Sequence, residues 1–375
     1  MDATWQQAQE GLATQAAPPR GLPNAFYTDP AMLARERARL LHRVWLAVGH
    51  IADIPGPGDA VPVIAAGLPL VLLRDRDGAL RGYHNVCGHR GLLLLGEPCR
   101  GQPSLVCPYH GWAYDLQGRL RATPDFGGIG VRHGPGFDRA QHSLRPVRLA
   151  QAFGGLIFAD LSGEAPDFAD WAAPLLARWA AYDFSVLRHA QSARCEVAAN
   201  WKLVAENFVD TLHLQWVHPQ VAGHSKPEDH FDIILPPAYG TFSRSALSDH
   251  PMAQAIPCFP GLPAPLARQG EFLFLYPNLL LFLMPNHVFS IVLDPLAVDR
   301  TAERLDLAVV PGGPAAAAAW WMQAWQHLNA QDFGMLARLQ QGRASPGFAG
   351  GCFSAVMDQA ALAVQRRVLA DLQEA

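Results

Sequence analysis

The stretch Asn200 to Pro219, Asn-Trp-Lys-Leu-Val-Ala-Glu-Asn-Phe-Val-Asp-Thr-Leu-His-Leu-Gln-Trp-Val-His-Pro, carries Asp210, His213 and His218 in the spacing D-x-x-H-x4-H. It reads as a helix, with no Gly and no Pro before its end. Imidazoles and carboxylates in a largely apolar helix cost free energy unless something satisfies them, and a bound metal ion would do so. Taken alone, the spacing is a weak signal, and surface histidines on an amphipathic helix account for it better.

A second set stands upstream. Cys87-Gly88-His89 is followed, after seventeen residues, by Cys107-Pro108-Tyr109-His110-Gly111-Trp112. The pattern C-x-H-x17-C-x-x-H engages two of six cysteines and two of fifteen histidines. Zinc fingers group like ligands, cysteines with cysteines and histidines with histidines. Here each loop offers one thiol and one imidazole. Two such loops facing each other can put both thiolates on one iron and both imidazoles on a second, the ligation of a Rieske [2Fe–2S] centre. A single zinc held by all four is the alternative. Imidazole in place of thiolate removes negative charge from a cluster and raises its potential, which suits one-electron transfer.

Cys87-Gly88-His89-Arg90-Gly91 with Cys107-Pro108-Tyr109-His110-Gly111-Trp112 resembles the Rieske motif of the Rieske non-haem iron oxygenases. These are the α subunits of ring-hydroxylating and N-demethylating systems. The likeness continues, in the family's order, through Asn200-Trp201-Lys202 and Glu206-Asn207…Asp210…His213…His218-Pro219. In length and in the run of its first domain the chain is similar to the choline, betaine and carnitine monooxygenase branch. Two positions depart from the pattern: Gly88 stands where Pro or Arg is common, and Leu212 where many members have Tyr. Neither removes a ligand.

The resemblance implies a [2Fe–2S] cluster on Cys87, His89, Cys107 and His110. It also implies a mononuclear Fe(II) in a 2-His-1-carboxylate triad, with His213 and His218 as its imidazoles. Five residues of α-helix separate side chains by about 140°, so a π-type turn is expected between the two histidines. The third ligand is expected downstream, where Gln331-Asp332…Gln340-Gln341-Gly342 matches the family best. That makes Asp332 the candidate, with Asp358 in Met357-Asp358-Gln359 as the alternative. Asp210, three residues before His213, can accept that imidazole's proton and orient the ring. By resemblance it also bridges to a Rieske histidine, His110, of a neighbouring subunit in a ring-shaped homotrimer. Asn207 is expected near the iron.

These ligands need a scaffold. With 375 residues, two domains are the reasonable expectation. Half the residues are hydrophobic and 17% are charged, so a sizeable core is available. A net charge of −4 leaves no footprint for nucleic acid. Six dispersed cysteines do not resemble a disulfide framework. Met1 to Pro23 shows no basic start followed by an apolar run, so no secretory signal is visible. Phe272 to Leu293 is apolar enough to raise a transmembrane question. Pro277-Asn278 and Pro285-Asn286-His287 break it into three short buried strands. The expectation is a soluble cytoplasmic protein.

Residues 1–24 read as a loosely held arm, and Asp29-Pro30 as the capped start of an amphipathic helix. Together they form an N-terminal segment over 1–43. An antiparallel β domain carrying the cluster follows over 44–161, with Asp75-Arg76-Asp77-Gly78 as a hairpin turn. Residues 162–375 read as a catalytic domain: helices over 168–182 and 200–217, strands from 230 to 310, then two C-terminal helices. The fold class is α+β, with an antiparallel sheet flanked by helices.

The function implied by the resemblance is that of a terminal oxygenase using O2 and electrons from an NAD(P)H-dependent flavin/iron–sulfur reductase, with or without a ferredoxin between. The chain has no G-x-G-x-x-G after a strand, so flavin and nicotinamide are expected on the partner. One substrate reading is hydroxylation or N-demethylation of a small quaternary ammonium compound. That would require an aromatic cage for the cation, drawn from Phe208, Trp216, Phe274 and Tyr276. The alternative is an aromatic or biosynthetic substrate in an apolar pocket. A third reading, a non-catalytic electron carrier, leaves residues 162–375 without a use.

Overall fold

The computed structural model describes residues 3–13, 18–134, 136–222 and 225–373. The chain divides into two compact units, one formed by residues 43–165 and the other by the segments on either side of it.

The 43–165 unit is antiparallel β. Six strands pair in the order Trp45–His50, Leu156–Asp160, Pro146–Ala152, Leu80–His84, Leu68–Arg74, Ala60–Ala65. Three short strands, Ser104–Val106, Ala113–Asp115 and Leu120–Ala122, make a second sheet. The hairpins close on local chemistry. Asp75 Oδ1 accepts from the amides of Asp77 and Ala79, and Gly78 takes the positive φ (78°) that the turn requires. Asp115 does the same for Gln117 and Arg119. Between the sheets, Val71, Leu73, Leu105 and Tyr114 pack around Cys87, Cys107 and Trp112.

The other unit is built on a seven-stranded antiparallel sheet. Its order is Arg188–Val197, Arg300–Val309, His287–Ala297, Leu279–Leu283, Gly270–Leu275, Ala238–Ser243, His230–Leu235. The apolar run from 272 to 293 is, as its prolines indicate, three neighbouring strands of this sheet. Among the described residues no helix is long and apolar enough to cross a membrane. Helices Trp201–Val209, Ala315–Arg343 and Gln359–Gln373 pack on the sheet.

The N-terminal segment differs from expectation. Ala3–Leu12 is a helix rather than a loose arm. Its Trp5 packs edge-on to Phe26 at 5.0 Å and lies under the Arg35 guanidinium, and Arg366 of the last helix donates to Leu12 O. Met1, Asp2 and 14–17 of that expected arm lie outside the described residues. The Pro30–Arg39 helix starts where Asp29 accepts from the amide of Ala31 at 2.9 Å. It sends Glu36 inward to a fully buried pairing with Lys202 and with Trp201 Nε1. That pairing anchors the first turn of the Trp201–Val209 helix, and burying both charges is tolerable only because each satisfies the other.

Candidate active site

The two Cys/His loops share one backbone design. Cys87 O accepts from Gly91 N and Cys107 O from Gly111 N, while Cys87 N donates to Leu92 O and Cys107 N to Trp112 O. Gly91 and Gly111 both take positive φ, 77° and 68°, to close the loop. The design brings the two thiols within hydrogen-bond reach of each other, and burial pushes the Cys87 thiol up. The His89 and His110 rings meet edge-on with centroids 4.7 Å apart. His89 stacks flat on Trp112 at 4.8 Å, and its Nδ1 is buried with no partner. Adjacent thiols, adjacent imidazoles and an orphaned ring nitrogen are the donor set that a Rieske cluster requires. Tyr114 Oη lies 3.4 Å from Cys87 Sγ and accepts from Gly88 N at 2.9 Å. The departure at Gly88 has a steric cause: a Cβ there would lie 2.6 Å from the carbonyl oxygen of His142.

The second constellation forms differently from the expected π turn. The helix stops at Val209, and Asp210 is its extended C-cap (φ −81°, ψ 134°), its Oδ1 taking the Leu212 amide at 2.7 Å. A single α turn, Leu214–Val217, separates the histidines. The amides of Trp216 and Val217 donate to His213 O, and His218 N donates to Leu214 O. His218 then leaves helical geometry (φ −119°, ψ 64°), which swings its ring back toward His213. A break at Asp210 and an exit at His218 replace the bulge.

His213 Nδ1 lies 3.1 Å from Asp210 Oδ2. His218 Nδ1 lies 2.8 Å from Gln331 Oε1, which also accepts from Gln220 Nε2 at 2.7 Å. Because carboxylate and carboxamide oxygens only accept, each Nδ1 carries the proton and each Nε2 keeps its lone pair. Asp332 Oδ1 lies 3.1 Å from His218 Nε2 and 3.8 Å from His213 Nε2, yet it is buried without a well-formed hydrogen bond. The three ligand atoms lie within 4.8 Å of one another. Two lone pairs and a carboxylate converging on one point leave electron density that a cation would neutralise. The donor set therefore fits a mononuclear iron. Asp358 is not part of this cluster: it accepts from Ser354 N at 2.6 Å and heads the last helix.

Above these residues opens a cavity of about 380 Å³. Asn207 and Asp210 line it with the two histidines and Asp332. Of the four rings expected to form a cage, only Phe208 is among them. Trp216 is 81% exposed, and Phe274 and Tyr276 are buried in the core. The cavity is walled instead by Phe272, Phe282, Trp320, Trp321 and Trp325. Strand residues 272 and 274 gave no sign of which one meets a pocket. The tryptophans did leave a signal: Trp321, Trp325, Leu328, Asp332 and Leu336 recur at helical spacing, so the candidate carboxylate and the aromatic wall share one helix face.

Residues 184–374 match the ring hydroxylating alpha subunit (catalytic domain) family, and residues 44–132 match the Rieske [2Fe-2S] domain. The glycine betaine monooxygenase oxygenase subunit of Chromohalobacter salexigens is 33% identical over 238 residues, 63% of this chain and 52% of the relative. The carnitine monooxygenase oxygenase subunit of Escherichia coli (strain K12) is 30% identical over 200 residues, 53% of this chain and 52% of the relative. The chain thus spans about half the length of the curated relatives it matches. In fold it is similar to the crystal structure of the quaternary ammonium Rieske monooxygenase CntA with inhibitor MMV12. The TM-score is 0.83 at 20% identity, over 97% of this chain and 98% of that one. With both segments matched, the chain belongs to the ring-hydroxylating alpha-subunit family, and its two cofactors are a Rieske [2Fe–2S] cluster and a mononuclear iron.

Proposed function

We propose that this chain is the terminal oxygenase of a Rieske system that hydroxylates or oxidatively N-demethylates a small quaternary ammonium compound. The observation that carries it is the convergence of His213 Nε2, His218 Nε2 and Asp332 Oδ1 beneath a cavity walled by aromatic rings. In this reading Cys87, His89, Cys107 and His110 of the 44–161 domain hold the cluster, and the 162–375 domain holds the iron. Bound there, an iron would supply electron-transfer chemistry and open coordination positions for dioxygen. The chain's own residues do the rest. Asp210 and Gln331 hold the Nδ1 protons and so aim both rings. Asn207 supplies an amide at the cavity edge, and the rings exclude water and attract a cation by their π faces.

Electrons would come from an NAD(P)H-dependent flavin/iron–sulfur reductase, directly or through a ferredoxin. Asp210 would link to the partner subunit's His110 in a homotrimer. Its side chain is 27% exposed, as a bridging group must be before assembly. A cytoplasmic setting suits its six free cysteines. The relatives that act on glycine betaine and carnitine support the substrate class.

The decisive experiment is substrate-stimulated oxygen uptake by the iron-loaded protein with a surrogate reductase, across quaternary amines and aromatic compounds. Product formed stoichiometrically with uptake from a quaternary amine is expected. Coupled turnover of aromatic compounds alone would establish the second substrate reading instead, which the same apolar rings could serve.

A further inference from the structure

Behind the cavity wall lies a polar relay that the site itself does not use. Asn286 and His287 are both fully buried. Asn286 Nδ2 donates to the carbonyls of Ala253 (2.9 Å) and Ile256 (3.3 Å), which leaves its Oδ1 as an acceptor facing His287 Nδ1 at 2.7 Å. His287 Nδ1 therefore carries the ring proton, and Nε2 presents a lone pair. That lone pair accepts from Trp325 Nε1 at 2.9 Å. Trp321 packs against the same imidazole, with centroids 4.3 Å apart, and stacks on Trp325 at 5.4 Å and 20°. Both indoles line the cavity, while His287 stands behind them.

We infer that His287 is a specificity-determining positioning residue, which fixes the Trp321–Trp325 wall and makes it a better receptor for a cationic substrate than for an uncharged one of the same shape. This rests on the quaternary ammonium reading of the cavity. Two physical effects combine. The Nε1–H···Nε2 bond holds the Trp325 plane at one angle, so its π face needs no reordering when a cation arrives. Donating a proton to a neutral imidazole also pushes electron density back into the indole, and a richer π face attracts positive charge more strongly. The imidazole must be neutral for this, since imidazolium could not accept and would repel the ligand. Burial lowers its pKa to about 3, so it stays neutral across the physiological range.

The test compares choline with its carbon isostere 3,3-dimethylbutan-1-ol, binding each to the iron-loaded full chain by titration calorimetry. The wild type should prefer choline roughly tenfold or more. His287→Leu, which removes the acceptor, should reduce that ratio to about threefold or less. His287→Gln, which offers an amide oxygen in its place, should keep it within about twofold of wild type. Should His287→Leu not fold, Trp325→Phe removes the polarised indole and should lose the ratio as well. A folded His287→Leu that weakens both ligands equally, or that keeps the full ratio, overturns the proposal, because a merely structural histidine would act on both alike. A wild type that does not discriminate would overturn the quaternary ammonium reading and this inference together. Discrimination that survives in His287→Leu defeats the role of His287 alone.

Discussion

Gln331 Oε1 faces His218 Nδ1 at 2.8 Å, while Asp332, the next residue in the same helix, brings Oδ1 to 3.1 Å from the Nε2 of the same ring. Consecutive residues thus serve the two nitrogens of one imidazole. Gln331 settles the tautomer, and the tautomer leaves Nε2 free for a metal. Gln331→Leu should lower iron affinity roughly 10–100-fold, as loss of an outer hydrogen bond to a metal-ligating histidine typically does. Iron retained against a graded chelator, with circular dichroism as a control on folding, measures this. Retention equal to wild type would refute the role.

Asp332 and Asp358 separate cleanly. Asp332→Ala should abolish iron binding in the second constellation while leaving the cluster's visible spectrum intact. Asp358→Ala should keep the iron and lower stability by about 1 kcal/mol, because Ser354 N loses its acceptor. Metal analysis and urea unfolding of both variants decide it; an iron-replete Asp332→Ala protein would be fatal to the assignment.

Asp210→Asn keeps an oxygen to take the Leu212 amide, so the break in the helix should survive. What it removes is the negative charge beside His213 Nδ1. Both metal centres should remain, and coupled product formation should fall roughly 10–100-fold. Single-turnover product yield gives the answer, and a normal yield would show that the carboxylate is dispensable.

Tyr114 reaches Cys87 Sγ at 3.4 Å. A hydrogen bond to a cluster sulfur eases the arrival of an electron, so Tyr114→Phe should lower the cluster potential. A bond worth about 1 kcal/mol corresponds to roughly 40 mV for one electron. Spectroelectrochemical titration would detect this; an unchanged or higher potential would exclude the hydrogen bond as a tuning element.

His287 also carries a pH signature. Its folded pKa is about 3 against an ordinary 6.5, and burial is the cause. The unfolded chain therefore binds a proton that the native state refuses. The associated stability is complete above pH 6.5 and is lost as pH falls toward 3, at about 1.4 kcal/mol per pH unit. Between pH 6.5 and 5, wild type should lose about 1.5 kcal/mol more than His287→Gln, read from urea midpoints. Parallel losses in the two proteins would mean that His287 is not held neutral.

The candidate ligand pairs were legible in the amino-acid order because each is local. Cys87 with His89, Cys107 with His110, and His213 with His218 are separated by no more than five residues, and backbone geometry holds such neighbours together. Turns at Asp75–Gly78 and the prolines that divide 272–293 were legible for the same reason. The break at Asp210 was not. Helical pattern continues through it, whereas in the structure Asp210 turns extended and its carboxylate takes the Leu212 amide. Nor could spacing choose between Asp332 and Asp358, place Gln331 on His218, or tell Phe272 from Phe274. Those depend on which face of the Ala315–Arg343 helix lies on the sheet, and on how far along the strand the gap between them falls. More than a hundred residues separate the partners, and contacts at that separation are decided by packing of the whole apolar core. The sequence by itself determined which chemistry the chain can carry; the tertiary structure decided which carboxylate, which amide and which rings surround it.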